Sequence, residues 1–304
     1  MKLKKREVDK MTLEQYMREL WLMDKQYGQE IELYPLINML LRADEDMKKL
    51  SIRDVHNGRK TVKRDHRKYI DGFGSFPDLA IFDESFPEEQ EPKNGENTIL
   101  KNIYGCVEAK PTDSKLIKCL DHNTMEIGYE EEENDNYVQI NIVKEEINYY
   151  VKINTEKTSL VKKKGMVAND AGELLGELLW YGKVLYTNGL IWKYYALSKE
   201  SEEKINGIRK NWIIADKNEG ATSPDGKDKN KNWKKERKTW IFKQCKEKPL
   251  KIISKNIGDL TKIYNKIKDN TSMPAFNEFN SQDYQEWKNL KTNLAAIDWT
   301  EVIF

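Results

Sequence analysis

Residues 105–111 read Gly-Cys-Val-Glu-Ala-Lys-Pro, and before them residues 76–82 read Phe-Pro-Asp-Leu-Ala-Ile-Phe. Both stretches are short and apolar enough to be strands. The second extends back to about Ile99, and Pro111 is a natural stop for it. Side chains two apart in a strand point to the same side, so Glu108 and Lys110 share a face, with the Ala109 carbonyl between them. If the two strands pair, Asp78 comes beside Glu108. Two carboxylates and a carbonyl are oxygen donors of the kind that suit Mg²⁺, and a lysine beside them can stabilise charge on a phosphate or act on an attacking water.

Working outward, Leu13, Tyr16, Met17, Leu20 and Trp21 predict a helix over Thr12–Asp24. Leu33, Leu36, Ile37, Leu40 and Leu41 form an apolar helical stripe beginning near Pro35. After Pro111, Tyr137–Val143 and Ile147–Ile153 alternate as small antiparallel strands. A helix then opens at Asp170-Ala171 and runs to Tyr181, with Leu174, Leu175, Leu178 and Leu179 inward and Gly182 ending it. Val184–Thr187, Asn188-Gly189 and Leu190–Leu197 read as a hairpin. Strands are expected at Asn211–Ala215 and Thr239–Gln244. The chain from Leu250 reads as mainly helical, with Leu260, Ile263, Tyr264 and Ile267 in one stripe. This order predicts an α/β or α+β sheet with helices packed on it. Residues 1–250 form the main domain, 112–170 a β-rich insertion and 251–304 a helical C-terminal segment.

The totals bound the function. No apolar run in the 304 residues approaches the roughly 18–20 needed to cross a bilayer, so no membrane partner is expected. The basic N-terminus lacks a secretory apolar segment, which favours the cytoplasm. Cys106, Cys119 and Cys245 form neither a disulfide framework nor a CxxC pattern, and His56, His66 and His122 have no zinc spacing. Any metal must therefore be held by carboxylates. The net charge of +1 hides segregation. Arg53, Arg59, Lys60, Lys63, Arg64, Arg67 and Lys68 crowd residues 51–70, and residues 227–238 read KDKNKNWKKERK, with Lys231, Lys234 and Lys235. Local basic patches matter more than the sum for a phosphate ligand, so Arg59, Lys60, Lys63, Arg64, Lys231, Lys234 and Lys235 are the candidate nucleic-acid contacts.

Pro77-Asp78 followed by Glu108-Ala109-Lys110 resembles the PD-(D/E)XK nuclease superfamily. The strand GCVEAKP with the later GELLWYGKVLYTNGLIWKYY is closest in pattern to the nuclease domains of type I restriction motor subunits. The resemblance spans roughly Glu30 to Leu197. It implies a restriction-endonuclease-like fold, a mixed central sheet flanked by helices. It also implies an Mg²⁺-dependent DNA endonuclease, with Mn²⁺ able to substitute, acting in restriction or defence against mobile DNA. Asp78, Glu108 and Ala109 then hold the metal, and Lys110 works beside it. The family's QxxxY on the following helix corresponds to Glu177 and Tyr181, with glutamate in place of glutamine. The glutamate of the first core helix corresponds to Glu32, with Glu30 as the near alternative. An RNA-cleaving enzyme of the same fold and a non-catalytic binding module on it are the competing expectations. The chain has no GxxxxGK[ST], so translocation or targeting would come from a partner protein. Cutting both strands with one site per chain would need a homodimer or two visits.

Overall fold

A computed structural model of the chain describes residues 11–43, 46–56, 69–70, 76–84, 86, 102–114, 116, 124–131, 138–144, 147–152, 173–218, 250–272 and 274–300. Helix α1 (Leu13–Gln26) begins at a capping box. Thr12 Oγ1 accepts from the Gln15 N–H, and the Gln15 side chain accepts from the Thr12 N–H. A 3₁₀ turn at Glu30–Glu32 leads into α2 (Leu33–Leu41), whose five predicted stripe residues are all buried. A second 3₁₀ turn (Asp46–Lys49) precedes β1 (Ser51–Asp54). Strands β2 (Leu79–Phe82) and β3 (Ile103–Ala109) follow, then β4 (Thr124–Glu131), β5 (Val138–Lys144) and β6 (Ile147–Lys152). Helix α3 (173–181) leads to β7 (Lys183–Thr187) and β8 (Ile191–Leu197). Last come α4 (Lys199–Asn218), β9 (Leu250–Asp259), the short α5 (Thr261–Tyr264) and α6 (Ser281–Ala295).

The strands form one mixed sheet in the order β1-β2-β3-β7-β8-β9-β4-β5-β6. The pair β3–β7 is parallel and the other pairs are antiparallel. A parallel neighbour needs a crossover, and α3 lies in the chain that makes it. One face of the sheet presents Leu79, Ile81, Val107, Ala109, Leu185, Trp192 and Ile257 to a core shared with α1, α2 and α6. Because strand side chains alternate, Cys106 and Glu108 face the opposite side, where α3 lies. The mixed sheet flanked by helices agrees with the expected fold class in its coarse form. Among the described residues no helix is long and apolar enough to cross a membrane.

Two of the predicted segments take a different structure, and strands β1 and β4 were not predicted. Asn211–Ala215, predicted as a strand from its β-branched residues, belongs to α4. A helix already started at Lys199 and supported by the Lys204–Glu200 pair at 2.7 Å propagates more cheaply than it stops. The segment expected to be mainly helical from Leu250 opens instead with a ten-residue strand, paired on both sides by β8 and β4. Leu250, Ile252 and Ser254 are buried at period two, and the polar Ser254 masks that pattern in the sequence. The predicted strand at Thr239–Gln244 lies outside the described residues.

The hairpin between β7 and β8 is where expected, with its centre displaced by one residue. Asn188 donates its N–H to the Ile191 carbonyl, so Gly189 and Leu190 are the central pair. Gly189 has φ +82°, as a turn with glycine at its first central position requires. The Asn188 side chain accepts from the Leu190 and Ile191 N–H groups and donates to the Thr112 and Ser114 carbonyls, tying the turn to the exit of β3. A Cβ on Gly189 would lie 2.8 Å from Leu33 and 3.1 Å from Leu20. Gly189→Ala is therefore expected to lower the unfolding free energy by more than about 1 kcal/mol, measured by urea titration.

Candidate metal centre

The site draws its side chains from the end of β3, from α3 and from the start of β2. Glu108 is the second-last residue of β3, and parallel pairing with β7 continues past it, with the Lys110 N–H donating to the Thr187 carbonyl at 2.8 Å. Glu173 and Glu177 lie one turn apart on α3, so they project on the same side of the helix, toward the face of the sheet that carries Glu108. Carboxylate oxygens of Glu108, Glu173 and Glu177 all lie within 4.8 Å of one another. Lys110 donates to Glu108 Oε1, and its Nζ is 3.6 Å from Glu173 Oε2. Asp78 sits at the mouth of β2, and both its oxygens have donors. Tyr34 of α2 donates its hydroxyl to Oδ1, and the Ala109 N–H donates to Oδ2 at 2.7 Å.

Glu108 is 4% exposed, Asp78 5% and Glu177 0%, so these charges have little water to screen them. Two carboxylates so close repel by about 4 kcal/mol at an effective dielectric of 20. Burial, followed by the Asp78 charge, pushes Glu108 well above the usual carboxylate range. Burial raises Glu177 in the same way, helped by Glu108 and Glu173. Burial also raises Asp78, against the opposing hydrogen bonds from Tyr34 and Ala109. Burial would lower Lys110, but Glu108 and Glu173 outweigh it and hold the ammonium charged.

Neither oxygen of Glu177 meets an N–H or hydroxyl donor among the described residues, and the Glu108 carboxyl is the group with which it can share a proton. A wholly buried carboxylate without a donor is costly unless it is protonated or meets a cation. The donor set is all oxygen, which fits a hard divalent ion such as Mg²⁺ rather than zinc. Glu108, Glu173 and Glu177 are the residues that would hold it.

Of the residues singled out in the sequence, Asp78, Glu108, Lys110 and Glu177 lie together. Ala109 meets Asp78 through its N–H. Glu32 does not join them, because its carboxylate accepts from the Gln29 N–H at 3.2 Å and caps its own turn. Glu30, the near alternative, is the one in the field of the site. Its carboxyl is pushed up to about 7 by burial and by the charges of Asp78 and Glu173, against the opposing Lys110 and His56. Tyr181 extends the Glu173–Glu177 stripe, but its hydroxyl donates to the Ile70 carbonyl at 2.6 Å and braces α3 against residues 69–70. Arg59, Lys60, Lys63, Arg64, Lys231, Lys234 and Lys235 lie outside the described residues. Sequence reasoning missed Glu173 and Tyr34. Glu173 was recoverable, since it stands four residues before Glu177, whereas nothing in the sequence ties Tyr34 to Asp78.

No family model matches the chain, and no curated protein or solved structure does either.

The raised carboxyls fix a pH dependence. The folded state holds these protons more tightly than the unfolded chain, so stability falls as pH rises from the unfolded value toward the folded one. For Glu30 that window runs from 4.5 to about 7. Chelator-treated protein is expected to melt at progressively lower temperature across this interval. Glu30→Gln should flatten the decline and raise the melting temperature above pH 7. A melting temperature that climbs through the window would contradict the assignment.

Proposed function

We propose that the chain is a metal-dependent nuclease that hydrolyses phosphodiester bonds in DNA, acting in the cytoplasm in restriction or defence against mobile DNA. The observation that supports it most is the gathering of Glu108, Glu173 and Glu177 around the charged Lys110, with Asp78 beside them. The PD and ExK residues that carry the family resemblance fall together at the ends of adjacent strands, on a mixed sheet flanked by helices.

A divalent cation bound there supplies Lewis-acid polarisation of a phosphate oxygen and a more acidic water. The chain's own residues do the rest. Lys110, held as an ammonium, places a positive charge where negative charge grows on the phosphate, and is a charge stabiliser rather than a base. Tyr34 and the Ala109 N–H hold Asp78 in one orientation, which keeps its charge beside Glu108. Glu30, with a pKa of about 7, suits a group that accepts a proton near neutral pH.

The test is to incubate purified full-length chain with plasmid, single-stranded DNA and total RNA, in Mg²⁺, in Mn²⁺ and in chelator. DNA cut only with a cation, and spared by Lys110→Ala, is the expected result. Cleavage of RNA alone would move the substrate and keep the chemistry. Intact nucleic acid throughout, with a candidate partner protein added, would remove the reading.

A further inference from the structure

We infer that His56, oriented by Asp54, is a further catalytic residue of this chain and gives a proton to the oxygen that leaves when the phosphodiester bond breaks. The inference deepens the nuclease reading above and rests on it.

The reaction itself sets the need. A water oxygen forms a bond to phosphorus, the bond from phosphorus to one nucleoside oxygen breaks, and the electron pair stays on that oxygen. Two proton movements go with this: the water loses a proton and the leaving oxygen gains one. Glu30 suits the first. The second calls for another group, and the Lys110 ammonium is already engaged with Glu108 and Glu173.

The backbone brings His56 to the site. Strand β1 ends at Asp54, which pairs with Leu79, the residue after Asp78. The next residue, Val55, donates its N–H to the Asp78 carbonyl at 3.0 Å, and His56 follows it. The imidazole meets the Tyr34 ring edge-on at 5.6 Å, and the Tyr34 hydroxyl donates to the Asp78 carboxylate. The Glu30 carboxyl lies in the electrostatic field of Asp78, Lys110, Glu173 and His56 alike.

The ring is also held as a proton donor must be. Asp54 Oδ1 accepts from the His56 backbone N–H at 3.3 Å and lies 2.5 Å from Nδ1. A turn needs only the backbone contact, whereas the contact to Nδ1 fixes the ring. A carboxylate can only accept, so Nδ1 carries a proton and Nε2 is the nitrogen that exchanges one. Such a base with its orienting carboxylate is the pairing that acid–base catalysis uses. The His56 side chain is 27% exposed, so solvent can return its proton after each turnover. It is the one histidine among the described residues.

The experiment compares the nucleic acid that wild type cuts with the same molecule carrying sulfur in place of the leaving oxygen at the mapped bond. Thiols ionise near about pH 8.5, so a thiolate leaves without needing a proton. Wild type, His56→Gln and Asp54→Asn are assayed on both substrates in Mn²⁺. On the oxygen substrate His56→Gln should lose about 10²-fold or more in cleavage rate, and Asp54→Asn less. On the sulfur substrate most of both losses should disappear. Asp54 is half-exposed, so its variant answers the same question should His56→Gln fail to fold. Equal losses on the two substrates would overturn the inference, because a role in folding or substrate binding ignores the leaving atom. Full activity of His56→Gln on the oxygen substrate would overturn it too. Both results leave the nuclease reading standing, whereas a wild type that cuts neither substrate removes both.

Discussion

Glu108→Gln is expected to reduce cation-dependent cleavage by about 10²–10³-fold or more while leaving the fold intact. Glu108 meets several groups of the site at once. It accepts from Lys110, lies with Glu173 and Glu177 inside one 4.8 Å cluster, and feels the charge of Asp78. The amide keeps the shape and removes the charge, so Lys110 loses its anchor and any cation loses a ligand. Stability should move the other way. Glu108 is buried with its carboxyl well above the ordinary range, so a neutral replacement removes a repulsion from the metal-free protein. Activity assays with thermal melts in chelator check both halves. Cleavage within about 10-fold of wild type would show that the chemistry lies elsewhere.

Trp299→Ala is expected to cost about 3–5 kcal/mol, the largest stability effect predicted for a single side chain of this protein. Trp299 is buried against β3 at the one place where that strand has no side chain. A Cβ on Gly105 would stand 2.6 Å from the indole ring. The ring meets Tyr194 edge-on at 5.9 Å, and Lys183 Nζ donates to the carbonyls of Asp298 (2.8 Å) and Trp299 (3.1 Å). Removing the indole leaves a cavity under the strand that carries Glu108 three residues later. Urea titration should show a lower midpoint at unchanged slope, and a loss below about 1 kcal/mol would contradict the packing described. Gly105→Val probes the same contact from the other side and should destabilise by overpacking.

What the sequence made legible follows from the reach of each signal. The α2 stripe and the order β2, β3, α3, β7, β8 rest on local periodicity and on turn residues such as Gly182 and Gly189, and they appear where the pattern put them. Strand β1 was missed because four residues with one buried apolar side chain, Ile52, give no period to read. Strand β9 was taken for helix because its buried alternation passes through Ser254 and breaks at a register shift opposite Trp192/Lys193. Asp78, Glu108 and Lys110 come together as strand alternation and the pairing of β2 with β3 predict, and Glu177, to which only the family resemblance pointed, lies beside them. The tie of Tyr34 to Asp78 spans 44 residues and leaves no mark on either segment. The choice between Glu30 and Glu32 turned on a single 3₁₀ turn, where one residue caps the backbone and the other enters the field of the site.

The place of β9 in the sheet has a consequence for synthesis. It lies between β8 and β4, so the β4–β5–β6 unit reaches the rest of the sheet only through a strand that emerges from the ribosome last of the nine. Until residues 250–259 are made, β8 and β4 each carry an open edge able to pair with a neighbouring chain. A ribosome stalled before that point would hold a product in which the sheet neighbours of Glu108 have all been made but the sheet is still divided. Such a nascent chain invites chaperone capture or aggregation, and synthesis of residues 250–259 is what joins the two parts of the sheet.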